Sequence, residues 1–257
     1  MSVLFTKLNY YWRWCGTAFG FALFGAGCVL LPLITIPVLY LLPGSTGKRQ
    51  RRAKLTVHFA FRAYINILKY LGVLEYQVTG ASHLNRPGTL ILANHPSLID
   101  VIFLIAFTRH ADCIVKSALL TNIFTRWPIL TAGYIANDTP EGVINAAKES
   151  LDQGNNLIIF PEGTRTTPGQ PLALQRGAAN IATRINKDIT PVIITCSPTT
   201  LTKKDKWYQV PKSKIMFTIK VNKQLSVAEY SKLKPSIGAR KLTEFLGQYY
   251  NEELQSL

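Results

Sequence analysis

The chain has 257 residues, of which 47% are hydrophobic and 17% charged, and its 29 Lys and Arg against 14 Asp and Glu give a net charge of +15. That length suits one large domain or a domain with an appendage. Four cysteines without a close pair, and no His-rich cluster, argue against a metal site or a disulfide framework and for a reducing compartment.

The front of the chain is basic and apolar by turns. Residues 1–14 mix Tyr10, Tyr11, Trp12 and Trp14 with Lys7 and Arg13, the composition of an interfacial collar. Cys15 to Leu42 then holds no charged residue across 28 positions. As one helix this run would be about 42 Å long, more than the ~30 Å hydrocarbon core of a bilayer. Pro32 and Pro37 are expected to break it, which leaves a tilted span and a bent re-entrant hairpin both open. A cleaved signal peptide fits less well, because the run is too long and basic sequence follows. Nine cations precede the first acidic residue, Glu75, and the Lys48–Lys54 cluster would keep the following domain on the cytoplasmic side. A basic front beside an apolar run fits an anionic membrane better than nucleic acid. The expected division is a membrane anchor with a basic flank, 1–54, and a main domain, 55–257.

Within 55–71, Val57, Phe61, Tyr64, Ile65 and Leu68 share one face and Arg62 and Lys69 the other, predicting an amphipathic helix packed on the main domain. Strands are expected at 75–79, 89–93, 113–115, 133–135, 156–160, 190–196 and 215–221. Helices are expected after Leu98, over 117–131 with an interruption near Pro128, over 139–153 behind Thr139, over 175–186, and from about 236. Strands alternating with helices predict an α/β domain with a largely parallel sheet flanked by helices, behind an N-terminal helical membrane anchor.

Two polar segments interrupt this pattern, each directly after a short apolar strand. The first is Asn94-His95-Pro96-Ser97-Leu98-Ile99-Asp100. Five residues apart on one helix, His95 and Asp100 would point about 140° away from each other. They can meet only if His95 stands before the helix and Asp100 within it, which Pro96 and Ser97 permit. A carboxylate on one imidazole nitrogen fixes the tautomer and raises the basicity of the other, making His95 a candidate general base. Taken alone, a helix-start histidine that caps a backbone group is an equal reading. The second segment is Phe160-Pro161-Glu162-Gly163-Thr164-Arg165, where a glycine permits close approach, and Thr164 and Arg165 can hold a phosphate. Glu162 and Arg165 could instead pair with each other. Ligands of open α/β sheets gather at the carboxyl ends of the strands, so the two segments could share one mouth.

The pair of segments, 65 residues apart, resembles the signature of the glycerolphosphate and lysophosphatidate (1-acylglycerol-3-phosphate) acyltransferase family. Ala132-Gly133-Tyr134-Ile135 and Thr190-Pro191-Val192-Ile193-Ile194 are similar to weaker blocks of that family, and the resemblance spans roughly residues 75–200. It implies an enzyme that carries an acyl group from acyl-CoA or acyl-carrier protein to a lysophospholipid hydroxyl, most simply to give phosphatidic acid. His95 and Asp100 would be catalytic, and Glu162, Gly163, Thr164 and Arg165 would bind substrate with help from Lys116. It implies no cofactor beyond the acyl donor, and a bacterial inner membrane with the catalytic domain on its cytoplasmic side. The family often carries an arginine shortly after the glycine of its third block, whereas this chain reads Gly133-Tyr134-Ile135-Ala136-Asn137-Asp138. That departure keeps a different lysolipid or a specialised lipid open as acceptor. An inactive membrane-binding scaffold on the same fold is the alternative of another class. A hydrolase activating water at His95 fits the double signature less well, and no Gly-x-Ser-x-Gly offers a serine nucleophile.

Overall fold

The computed structural model describes residues 3–256. An antiparallel helical pair comes first: α1 (Val3–Leu41) and α2 (Thr46–Tyr70), the latter opened by Ser45, whose hydroxyl accepts from the Lys48 N–H. Small residues set the closeness of the pair. A Cβ on Gly16 would come 2.7 Å from a Val73 methyl, and one on Gly20 would come 2.7 Å from a Leu68 methyl. Farther along, Phe24 lies against Phe61 and Tyr64, and Leu39 packs with Ala53 and Ala132.

The expected break at Pro32 and Pro37 does not occur, for both prolines lie inside one 39-residue helix. Each proline forfeits one backbone hydrogen bond, whereas a break would leave several backbone groups without partners on an apolar surface. The amphipathic helix also begins earlier than expected, so α2 runs straight through residues 54 and 55. Lys and Arg are good helix formers, and the charge run from Lys48 to Lys54 continues the helix rather than delimiting it.

The strands are β1 (Leu74–Thr79), β2 (Leu90–Ala93), β3 (Ala111–Lys116), β4 (Ile135–Asn137), β5 (Asn156–Ile159), β6 (Ile189–Ser197) and β7 (Ile215–Val221). They form one sheet in the order β1-β7-β6-β2-β5-β3-β4, parallel throughout except for β6 against β7. This is the largely parallel, helix-flanked sheet expected from the alternation of strands and helices. The helices that follow are α3 (Asp100–Phe107), α4 (Ile123–Ala132), α5 (Pro140–Asp152), α6 (Arg176–Arg184), α7 (Ala228–Ser231) and α8 (Pro235–Gln255). β2 and β5 are buried at every position because both faces are covered. On one face they meet α3 and α2, on the other α5, α6 and α8.

β4 starts two residues later than expected. Gly133 takes a positive φ of 69° and its N–H bonds back to Ile129, so it ends α4 instead of opening a strand. The parallel order brings the carboxyl ends of β6, β2, β5, β3 and β4 to one rim, with the two polar segments side by side at its centre.

Candidate active site

The site begins with Asn94, just past β2. Its amide clasps one residue of β6, donating to the Ile194 carbonyl at 2.8 Å and accepting the Ile194 N–H at 2.7 Å. A side chain thus extends the sheet by one rung and fixes where the chain turns. The turn carries the chain over Pro96 to α3, which starts at Asp100 itself. His95 therefore stands ahead of the helix and Asp100 inside its first turn. His95 Nδ1 lies 2.9 Å from Asp100 Oδ2, and the same oxygen accepts the Ser97 N–H at 2.6 Å. The imidazole stacks on Phe160 with ring centres 4.2 Å apart, which holds its plane. Asp100 is wholly buried, while the His95 side chain keeps 18% of its surface exposed, so the pair opens outward only through the imidazole.

Burial pushes the Asp100 carboxyl up to about 6, against the hydrogen bonds from His95 and Ser97 that favour its charged form. It is ionised at neutral pH and loses its charge in mild acid.

The turn after β5 closes on this loop. Glu162 Oε1 accepts the His95 backbone N–H and the Thr166 hydroxyl, both at 2.8 Å, and the Thr166 N–H donates to the His95 carbonyl at 2.7 Å. Desolvation pushes the buried Glu162 carboxyl up, partly offset by those two donors. Glu162, expected to face substrate, lies beneath His95 and grips its main chain. Gly163 has a positive φ of 66°, and it and Thr164 are exposed at the tip of the turn. Arg165 is half-buried; its Nη1 donates to the carbonyls of Leu201 and Thr202 at 2.8 and 2.9 Å. Its other N–H groups make no hydrogen bond among the described residues and remain available to an anion.

Lys116 is exposed at the end of β3, paired in register with Asn137 of β4. With β5 between β3 and β2, it stands on the same rim about 10 Å across from the His95 loop. No arginine stands where the family pattern has one; beside Lys116 the Ser117 hydroxyl instead bridges the Asn137 carbonyl and the Asp138 carboxylate.

An apolar cavity of ≈230 Å³ adjoins the mouth. Leu98 and Ile99 of the His95 loop form part of its wall, with Phe21 of α1, Tyr64 of α2, Leu201 and Trp207. No local pattern could have disclosed it, because its lining comes from four separate stretches of chain. The roles of Asn94 and Thr166 were equally silent, since single polar residues beside a motif carry no periodicity.

Residues 75–195 match the family model described as Acyltransferase. This stretch belongs to the acyltransferase family. Over 112 residues the chain is 35% identical to a 1-acyl-sn-glycerol-3-phosphate acyltransferase of Helicobacter pylori, covering 41% of this chain and 47% of that one. Over 147 residues it is 26% identical to the protein of the same name from Pseudomonas aeruginosa, covering 55% and 57%. The matches thus span about half the length of these relatives. The crystal structure of the 1-acyl-sn-glycerophosphate (LPA) acyltransferase PlsC from Thermotoga maritima has the same fold, with a TM-score of 0.74 at 17% identity over 96% of this chain and 98% of that one. The acyltransferase stretch opens at Glu75 and closes at Thr195, so it contains both polar segments, all of β2, β3, β4 and β5 and most of β6, while β7 lies outside it.

Proposed function

We propose that this protein transfers a fatty acyl group from a thioester, acyl-CoA or acyl-carrier protein, to the free hydroxyl of 1-acylglycerol-3-phosphate, forming phosphatidic acid. The observation that carries this reading is the His95–Asp100 pair, 2.9 Å apart, on a loop whose Leu98 and Ile99 wall an apolar cavity. Asp100 accepts from Nδ1–H and leaves Nε2 as the base. Nε2 takes the proton of the acceptor hydroxyl, and the oxygen attacks the thioester carbonyl carbon. The carbon–sulfur bond then breaks, and the leaving thiolate recovers the proton from the imidazolium. The cavity suits an acyl chain, and Thr164 with the unoccupied edge of Arg165 suits the acceptor phosphate. The names of the relatives support the acceptor, and the chemistry calls for no cofactor besides the donor.

The same reading places α1 along a bilayer rather than across it. α1 is the one helix among the described residues long and apolar enough to span, yet it is held to the domain near both ends. Trp12 Nε1 donates to the Leu71 carbonyl at 2.8 Å near one end, and Leu39 packs on Ala53 and Ala132 near the other. A spanning α1 would carry Arg62 of α2, which follows Phe61 beside Phe24 near the middle of α1, into hydrocarbon, at about 3 kcal/mol. The excess of cations before Glu75 supports attachment to the cytoplasmic face of a bacterial inner membrane.

The direct test is incubation of the purified protein with each donor and a panel of lysolipids, with products identified by mass. Hydrolysis of the donor without lipid product would defeat the reading. The panel includes lysolipids without a terminal phosphate, since Asn137 and Asp138 stand where the family pattern has an arginine. Arg165→Ala should weaken use of the phosphate-bearing acceptor by roughly tenfold to a few hundredfold, the equivalent of one or two charge-assisted hydrogen bonds. The matched acceptor without phosphate measures what is lost through the 201–202 carbonyls alone. Equal losses on both would assign Arg165 to holding that loop.

The pH dependence follows from Asp100. Its carboxylate is present above about pH 6 and disappears below it. The imidazole loses its anchor as pH falls, so kcat/KM should be level near neutrality and drop about tenfold per unit in acid. A profile flat down to about pH 5 would show that the pair does not supply the base.

A further inference from the structure

We propose that the loop joining β6 to β7, residues 198–214, is a second membrane-docking surface that binds anionic phospholipid and seats the cavity mouth on the bilayer. The proposal rests on the reading that α1 lies in the membrane. Lys203, Lys204, Lys206, Lys212 and Lys214 are all exposed in this loop. Its one acidic residue, Asp205, is engaged internally, accepting the Thr202 N–H at 2.9 Å. Lys214 pairs with Glu75, and the other four lysines form no ion pair among the described residues. Between them Trp207 and Tyr208 are 46% and 44% exposed. Exposed indole and phenol rings flanked by lysines are the chemistry of a headgroup layer, where rings settle at the boundary and ammonium groups meet phosphates.

The loop is also held where such a contact would matter. Arg13 of α1 donates to the Lys212 carbonyl, and Trp207 packs on Phe21 of α1 with ring centres 5.7 Å apart. Its lysines and rings therefore continue the surface of the first half of α1, whose Tyr11, Trp12, Trp14 and Phe19 are exposed. A turn in which Lys206 N–H bonds to Gln209 Oε1 at 2.7 Å shapes the loop. Trp207, Val210 and Pro211 also line the apolar cavity, so lipid would pass beside the docked segment. A soluble anionic donor would use the lysines but would gain nothing from two exposed rings continuous with an apolar helix. The geometry favours lipid.

The test uses the full chain with Trp12, Trp14 and Trp127 changed to Phe, which leaves Trp207 as its one indole. The protein is added to vesicles with brominated acyl chains, made of phosphatidylcholine with or without phosphatidylglycerol. Cosedimentation reads anchoring by α1, and quenching of Trp207 reads docking of the loop. Strong quenching is expected with phosphatidylglycerol, weakened by salt and by K203Q/K204Q/K206Q/K212Q while cosedimentation persists. Each lysine near an anionic surface strengthens contact roughly fivefold, so the four changes should weaken docking several hundredfold. Unquenched Trp207 on sedimented vesicles, or quenching unaffected by the four changes, would overturn the proposal. So would unchanged quenching with a raised KM for the acyl donor, which would make the loop a donor surface. Failure of the protein to sediment with either vesicle would overturn both this proposal and the placement of α1.

Discussion

Replacing His95 with alanine is expected to lower acyl transfer by about 10²–10⁴-fold, the usual contribution of a positioned general base. Donor and acceptor affinities should change little, because the apolar cavity and the Arg165 turn are built from other side chains. Asp100→Asn should cost a similar factor for a different reason. Asparagine can still accept the Ser97 N–H, but it presents a neutral group to Nδ1 and no longer stabilises the imidazolium that forms during transfer. The two losses should not multiply, since under the proposed mechanism His95 and Asp100 act as one unit. Single-turnover rates of the two variants and the double variant, each shown to be folded by its unfolding transition, provide the comparison. Near-normal turnover by His95→Ala would end the base-catalysed mechanism.

The second large effect concerns stability and lies away from the mouth. Lys54 of α2 reaches into the protein, its Nζ 2.7 Å from Asp112 Oδ2 of β3, with side-chain exposures of 3% and 2%. The Ser150 hydroxyl of α5 donates to the same oxygen. One carboxylate thus ties the helical pair to the sheet and to the helix on its far side. Burial pushes the Asp112 carboxyl up while Lys54 and Ser150 draw it down. Removing one member of such a pair leaves an uncompensated group in a low dielectric, so Lys54→Met should destabilise the fold by about 3–5 kcal/mol. The double variant Lys54→Met, Asp112→Leu should recover most of that loss, because apolar replacements of both partners remove the desolvation penalty with the attraction. Urea unfolding in a fixed detergent measures both. A single-variant change under about 0.5 kcal/mol, the scale of ordinary surface substitutions, would mean that the pair is solvated and does not join the layers.

Lys54 also shows where reading a sequence stops. In order along the chain it belongs to a basic cluster, and a cluster suggests a solvated face. The cluster is two turns of a helix, however, and 3.6 residues per turn aim Lys54 inward while sending its neighbours elsewhere. Arg52 caps the carbonyl of Pro43, and Arg49 lies over Tyr40. Charge density is a local property, but the direction of each charge depends on what the helix packs against.

The strands were legible because each is a short apolar run bounded by turn residues, and burial on both faces writes itself into composition. The meeting of His95 and Asp100 was legible because five residues with a proline admit few geometries. Other features had no such local record. Asn94 holds Ile194, and Glu162 holds His95, across separations set only by the order of strands in the sheet. The sequence by itself therefore determined the α/β alternation, the apolar helix at the front and the two polar segments that follow β2 and β5. Only the tertiary structure decided that α1 runs unbroken through its prolines, that Glu162 accepts the His95 backbone N–H, and that four distant stretches enclose an apolar cavity. The physical reason is that periodicity and composition report whether a residue is buried, while its partner is chosen by packing between elements far apart in the chain.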